Sequence, residues 1–271
     1  MADAARIAHL QGLEAHLRTH LRGQDHVIAR AAAVFTRGEL GLARPDRPRG
    51  VFLAVGPTGT GKTELVLLAA RYLFGDGRVR RFDLSEYQRT DAVERLLGAD
   101  ASDSGGIGRA ATGVSPRVWL FDELEKAHPK VLDLFIQLLE PGHITLATGE
   151  VVSLKDDYIA FTSNIGASEA MRMARSSMAS IEQAVLRRVA EALRPEILAR
   201  VPDQLVFARL TPDVQREIAG LHLSNEVARL KSVGFDLQGR FPTIRRKIKV
   251  VTGQILAGPG VVGSTILECG A

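Results

Sequence analysis

The sequence predicts an α/β fold: a parallel β-sheet covered by helices on both faces, followed by a smaller α-helical domain. Three observations carry this. Five short apolar runs, "VFLAV", "VRRFDL", "RVWLFDE", "YIAFTSN" and "DQLVF", recur between Val51 and Phe207. The segments between them have helical periodicity, the pattern of strands joined by crossover helices. A glycine-dense stretch, "GPTGTGKTE", directly follows the first run and separates it from a helix.

Taken in order, residues 5 to 21 place Ile7, Leu10, Leu13, Leu17 and Leu21 on one stripe and predict an amphipathic helix. "RGQDHVIARAAAVFTRGELG" predicts a second helix with Asp25 as its N-cap, ended by the turn-forming "ARPDRPRG". The five runs are the expected strands. After Leu210, "TPDVQREIAGLHLSNEVARLKSVG" predicts a helix capped by Thr211. The glycine-rich, apolar end, "VVTGQILAGPGVVGSTILECGA", has no clear period. The expected organisation is an N-terminal helix over residues 1–21, an α/β domain over 22–210 and a small helical domain, degenerate or truncated, over 211–271.

The stretch Gly56, Pro57, Thr58, Gly59, Thr60, Gly61, Lys62, Thr63 fits G-x-x-x-x-G-K-[ST] at every fixed position, with Glu64 following. Glycines let the main chain fold around phosphates with N–H groups pointing inward, and the next helix presents its positive end. Lys62 is expected to reach the β- and γ-phosphates and Thr63 to ligate Mg²⁺. A second part, "VWLFDELEKAHP", is an apolar strand ending in two carboxylates. Asp122 is placed to hold Mg²⁺ through water and Glu123 to polarise an attacking water. An acidic pair after a strand is also a common helix start; its place some sixty residues after the phosphate loop makes it specific. In the third part, "YIAFTSNIG", the Asn164 amide is expected to hold the γ-phosphate or the lytic water, with Thr162 or Ser163 at the strand tip. Alone, Asn164 reads equally well as a turn residue.

Together, "GPTGTGKTE", "FDLSEY", "LFDELEKAHP", "LLEPGHIT", "TSNIGAS" and "LRPEILARVPDQLVF" resemble the AAA+ ATPase module of Clp-type ring unfoldases, in particular the second ATPase domain of the double-ring members. The likeness runs from about Leu21 to Leu210. It implies a P-loop α/β domain followed by a small helical domain, ATP and Mg²⁺ as cofactors, and nucleotide held between domains and between neighbours in a hexameric ring. It also implies that "RGQD" lies on the adenine side, with Gly23 and Gln24 beside the nucleotide and Val27 and Ile28 against the base. Arg200 takes the place of the arginine finger, which stabilises transition-state charge from a neighbouring subunit. Its plainer reading is a helix-terminal arginine paired with a nearby acid such as Glu196.

Two departures from the family pattern stand out. The family's substrate-gripping pore loop carries an aromatic residue, whereas "LLGADASDSGGIGRA" is shorter and has none. Ser102, Asp103 and Ser104 cannot supply the large apolar contact by which a ring grips polypeptide. In the small domain, "GRFPTIRRKI" is a loose match to the family's second sensor and leaves Arg240 or Arg245 as candidates. About twenty residues precede "RGQD", so substrate selection is expected to fall to a partner or to the first helix.

The readings are a nucleotide-hydrolysing remodeller of a protein substrate or adaptor, an ATP-switched scaffold or assembly factor without threading, and a DNA-associated ATPase. Composition bears on the last. The 271 residues carry a net charge of +4, and a basic cluster lies at Arg245 to Lys247. No groove-reading helix or stacking platform accompanies them, so nucleic acid is not the expected partner. No apolar stretch is long enough to span a bilayer and the N-terminus is unlike a signal peptide, so the cytoplasm is expected. The single cysteine, Cys269, excludes an intramolecular disulfide. His16 and His20 lie one helical turn apart, but no third ligand is spaced to join them, and exposed helix surface is expected there.

Overall fold

A computed structural model describes residues 4–232. The chain divides into two compact units between Arg209 and Leu210. In the first, two helices, α1 (Ala4–His20) and α2 (Asp25–Glu39), precede strand β1 (Gly50–Val55) and helix α3 (Lys62–Phe74). Then come β2 (Val79–Asp83), the short helices α4 (Ala92–Leu97) and α5 (Gly105–Ala110), and β3 (Val118–Asp122). Helix α6 (Pro129–Leu139) leads to two strands, β4 (His143–Thr145) and β5 (Val151–Ser153), and to β6 (Tyr158–Ser163). Helices α7 (Ala167–Arg172), α8 (Met178–Ala192) and α9 (Pro195–Arg200) precede β7 (Asp203–Val206). In the second unit, α10 (Pro212–Ser232) starts at Thr211, whose hydroxyl accepts the Val214 N–H at 3.4 Å.

The expected strands form one parallel sheet in the order β2-β3-β6-β1-β7. The apolar runs are continuous because both faces are covered, and alternate residues enter different cores. Phe52, Ala54, Val118, Leu120, Tyr158 and Ala160 pack with Leu13, Leu17, Phe35 and Leu65 from α1, α2 and α3. Leu53, Val55, Trp119, Phe121, Ile159 and Phe161 pack with Phe135 and Val185 from α6 and α8. The two-stranded antiparallel pair β4–β5 is additional to the sequence reading; strands of three residues are too short to show a period.

Polar ties hold this frame. Asp157 is fully buried and accepts the Arg117 main-chain N–H at 2.8 Å, the Arg117 Nε at 2.9 Å and the Trp119 indole N–H at 2.9 Å. The Tyr158 hydroxyl donates to Glu39 at 2.9 Å, and burial pushes its pKa up. On α1 and at the residue that follows it, Leu10, Leu13, Leu17 and Leu21 are buried as expected, while Ile7 is exposed. The N-cap of α2 is Gln24, not Asp25. Asp25 is the first helical residue and pairs with Arg18 at 2.7 Å, because the Gln24 side chain is drawn into the interior.

Candidate functional site

Strands β1, β3 and β6 end side by side, and the candidate site lies at those C-terminal ends. The loop after β1 depends on left-handed backbone at three glycines, Gly56, Gly59 and Gly61, with φ of 136°, 74° and 99°. At Gly56 a Cβ would lie 2.4 Å from the Phe207 carbonyl oxygen. Only glycine therefore fits this turn against the chain leaving β7. Gly61 caps α3, so the loop runs straight into a helix N-terminus, where free N–H groups and the helix dipole favour an anion.

Lys62 is 8% exposed. Its ammonium donates to the Gly56 and Pro57 carbonyls at 2.7 and 2.8 Å and to Asn164 Oδ1 at 3.0 Å. Burial pushes its pKa down to about 8, against the opposing pull of Glu125, Asp122 and Glu123. Thr60 bonds the Pro57 carbonyl at 2.8 Å and stiffens the loop. Thr58 donates to Asn164 Oδ1 at 3.2 Å. Glu64, in the first turn of α3, is exposed.

The Asp122 carboxylate sits at the end of β3, 6% exposed. One of its oxygens accepts the Thr63 hydroxyl at 3.0 Å and the Thr162 hydroxyl at 2.8 Å. The other accepts Arg81 Nε at 2.5 Å. Thr63 and Asp122 thus offer a hydroxyl and a carboxylate side by side beside the phosphate loop. Hard oxygen donors of this kind, few in number and supplemented by phosphate oxygens, fit Mg²⁺.

Glu123 has φ of 59°, the one non-glycine residue in the left-handed region among the described residues. Its N–H donates to Thr162 Oγ1 at 3.2 Å, which holds the turn. Strained backbone at a chemically loaded residue is a mark of functional sites. Asn164 is held by its own N–H, which donates to Glu125 at 3.0 Å. The sequence alone does not point to Glu125 or Arg81. Their contacts cross from one strand or turn to another, so no local pattern shows them.

Of the other sequence candidates, the segment at Gly23 and Gln24 borders the loop, since a Cβ on Gly61 would lie 2.6 Å from the neighbouring Leu21 side chain. Gly23 has φ of 72° and precedes Gln24, whose buried amide exchanges hydrogen bonds with the Ala208 main chain at 2.9 and 3.1 Å. Val27 and Ile28 are 1% and 0% exposed and belong to the α1–α3 core. Arg200 ends α9, just before β7 begins. The start of β7 lies by the middle of β1, with Phe52 in register with Asp203. Arg200 shares a cleft with Arg37, Arg47 and Arg49 beside Gly50, the first residue of β1. The phosphate loop follows the other end of that strand, about 16 Å away for a strand of this length. Arg200 pairs with Glu140, its Nε at 2.9 Å, and bonds only the main-chain carbonyl of Glu196. Its acidic partner is therefore Glu140 and not Glu196. His16 and His20 have ring centroids 4.2 Å apart, and no group of three or more metal-type side chains occurs among the described residues. Arg240, Arg245, the cluster at Arg245 to Lys247 and Cys269 lie outside the described residues.

The loop between α4 and α5 is closed on itself. Asp103 accepts the Gly105 N–H at 2.9 Å and pairs with Arg109 at 3.1 Å, while Asp100 accepts the Ser102 hydroxyl at 2.6 Å. These hydrogen bonds hold both carboxyls below their ordinary pKa.

A phosphate-binding loop, a metal-type carboxylate at the end of the neighbouring strand and an asparagine at the tip of the next define a P-loop nucleoside-triphosphatase site on a parallel sheet. Residues 47–204 match the AAA domain (Cdc48 subfamily), and the chain belongs to that family. It is similar to heat shock protein 100 of Trypanosoma brucei brucei, 37% identical over 236 residues, covering 84% of this chain and 27% of that protein. Likewise it is 37% identical over 239 residues to chaperone protein ClpB 1 of Thermosynechococcus vestitus, covering 84% of this chain and 27% of the relative. The fold matches the Saccharomyces cerevisiae Hsp104–ADP complex with a TM-score of 0.75 at 30% identity, over 84% of this chain and 41% of that one. A closed-state cryo-EM reconstruction of Hsp104 with ATPγS and FITC casein gives 0.73 at 30% identity, over 82% and 40%. The chain thus spans between a quarter and a third of the length of such curated relatives. The AAA domain it shares with them is the ATP-hydrolysing module of the Clp and Hsp100 proteins.

Proposed function

We propose that this chain binds ATP with Mg²⁺ and hydrolyses it as one subunit of a ring, using the cycle to remodel a protein partner. The observation that carries the reading is the convergence of Lys62, Thr63, Asp122 and Asn164 on the mouth of one glycine loop. The loop N–H groups and the start of α3 bind the phosphates, and Lys62 exchanges its main-chain carbonyl partners for phosphate oxygens. Thr63 and Asp122 would hold the metal, which would supply positive charge to the phosphate oxygens. Glu123 accepts the proton of the attacking water. Its carboxylate takes no hydrogen bond from any described residue, so a lone pair is available. Asn164, already within reach of Lys62, orients the γ-phosphate or that water.

Gly23 and Gln24 would meet the adenine side through their main chain, since the Gln24 amide is engaged with Ala208. Val27 and Ile28 supply the apolar wall behind it. Arg200, at the far end of the sheet from its own loop, can act only on a neighbour's nucleotide, which makes assembly a condition of turnover. The hexameric ring, the division into segments 1–21, 22–210 and 211–271, and the cytoplasmic setting belong to the same proposal. No helix of the described residues is long and apolar enough to cross a membrane.

Glu123→Gln tests the reading. Nucleotide binding should persist while turnover falls by about 10²–10⁴-fold, the usual worth of a general base. Turnover within a few-fold of the unaltered chain would remove Glu123 from the mechanism. One observation favours a second reading, an ATP-switched scaffold: the self-closed loop at Asp100–Gly105 offers no aromatic grip. ATP-driven unfolding of a tagged model substrate separates the two, because a scaffold would hydrolyse slowly and unfold nothing.

A further inference from the structure

We infer that Arg81 is a stand-in cation for the metal: it neutralises Asp122 in the metal-free chain and competes with Mg²⁺ for that carboxylate, thereby setting the metal concentration at which the site fills. The inference rests on the reading of Asp122 as a metal-site residue.

The geometry comes from the register of the sheet. Arg81 of β2 is paired with Leu120 of β3, and Asp122 is paired with Asp83. Residues two apart share a face, so Arg81 reaches diagonally forward to Asp122 along the face that α3 covers. The adjacent Arg80 points the other way and is consumed by main-chain carbonyls, Ala110 and Gly77 at 2.7 Å and Thr112 at 3.0 Å. It anchors a loop. Arg81 has a single partner among the described residues, the Asp122 oxygen at 2.5 Å.

The two members of this pair are unequally buried: Asp122 is 6% exposed and Arg81 is 57% exposed. A carboxylate so deeply set needs a counter-charge in every state of the site. A guanidinium more than half in water can be released from it at little cost. Thr63 and Thr162 already occupy the other carboxylate oxygen, so the oxygen that Arg81 holds is the one left for a metal-bound water. A positive charge there also opposes the arrival of a second one. Arg81 therefore keeps Asp122 paired and aimed until the metal takes over, and weakens metal uptake by the amount of that pairing.

The experiment is a Mg²⁺ titration of the full chain in the presence of a non-hydrolysable ATP analogue, followed by calorimetry, with melting temperatures recorded in parallel. Arg81→Ala should lower the half-saturating Mg²⁺ concentration by about twofold to fivefold, the range for an exposed or partly exposed ion pair. It should also lower the metal-free melting temperature, and the gap should close once Mg²⁺ and nucleotide are bound. Arg81→Gln, which keeps a donor without the charge, should shift the titration in the same direction and guards against misfolding of the alanine variant. Arg81→Lys should titrate like the unaltered chain. An unchanged or raised half-saturating concentration in both neutral variants overturns the inference. So does an equal loss of melting temperature with and without metal, which would mark Arg81 as purely structural. Failure of the unaltered chain to take up Mg²⁺ and nucleotide at all would be a different result and would overturn the site reading itself.

Discussion

Binding of a triphosphate should draw a proton onto Lys62. In the nucleotide-free chain, burial holds this ammonium at about 8 rather than 10.5. A polyphosphate lying against it supplies negative charge at hydrogen-bond distance and returns the pKa to its ordinary range or above. Below pH 8 the lysine is charged before and after binding, and no proton moves. Above it, binding must recruit one, so affinity for Mg²⁺–ATP should fall about tenfold per pH unit until about pH 10.5. At about 1.4 kcal/mol per pKa unit, the full span is roughly 3 kcal/mol. Calorimetry near pH 8 in two buffers of different ionisation enthalpy reads the uptake directly, and about half a proton per site is expected. Lys62→Arg provides the control, since a guanidinium stays charged throughout and the uptake should vanish. Equal heats in the two buffers for the unaltered chain, or uptake that survives in the arginine variant, would refute the reasoning. The same depressed ammonium acts on folding. Between about pH 8 and 10.5 the unfolded chain carries a proton that the native chain lacks, so nucleotide-free stability should rise with pH across that window. Below pH 8 both states are protonated and the whole cost of burying the charge remains.

Two further variants test other parts of the account. Arg200→Ala should lower turnover by about 10³-fold at concentrations where rings form, the lower end of what an arginine finger contributes. Mixing it with Glu123→Gln subunits, which keep Arg200, should restore part of the rate, and a mixture no faster than its components would count against action in trans. Asp157→Ala would strand the Arg117 guanidinium, 7% exposed, without its partner. A loss of about 3–5 kcal/mol is expected in denaturant unfolding, as for other broken buried pairs, and a loss under about 1 kcal/mol would show that the site relaxes.

What the sequence reveals of this molecule follows from how far each interaction reaches along the chain. All five sheet strands were legible because both faces are buried and the runs are continuously apolar. The phosphate loop was legible because its chemistry is packed into eight consecutive residues. By contrast, the sequence offers Glu196 as the acidic partner of Arg200, whereas the structure pairs it with Glu140, sixty residues away in sequence. Propensity favours Asp25 as the N-cap of α2, whereas the bonds of Gln24 to Ala208, 184 residues distant, decide it. Arg81 reads as one more charge on a strand until the register with β3 is known.

The stretch "DELEK" shows how local backbone divides three carboxylates among three tasks. Asp122 is the last residue of β3 and follows the alternation of the strand, on the side of Leu120 and α3, which brings it to Thr63. Continued alternation would drive Glu123 to the side of Trp119 and Phe121, into an apolar core where a carboxylate could not stay ionised. The left-handed turn at φ of 59° breaks the alternation at that residue, and the Thr162 hydroxyl secures it. Glu125, one short turn later, accepts the N–H of Asn164 and faces Lys62. Strain in the main chain at one position thus keeps the Glu123 carboxylate out of the apolar core while its neighbours on either side stay buried or bonded. Relief of that strain by Glu123→Gly would preserve the turn and remove the carboxylate. A substitution that forbids the left-handed turn would instead disturb Asp122 and Asn164 together.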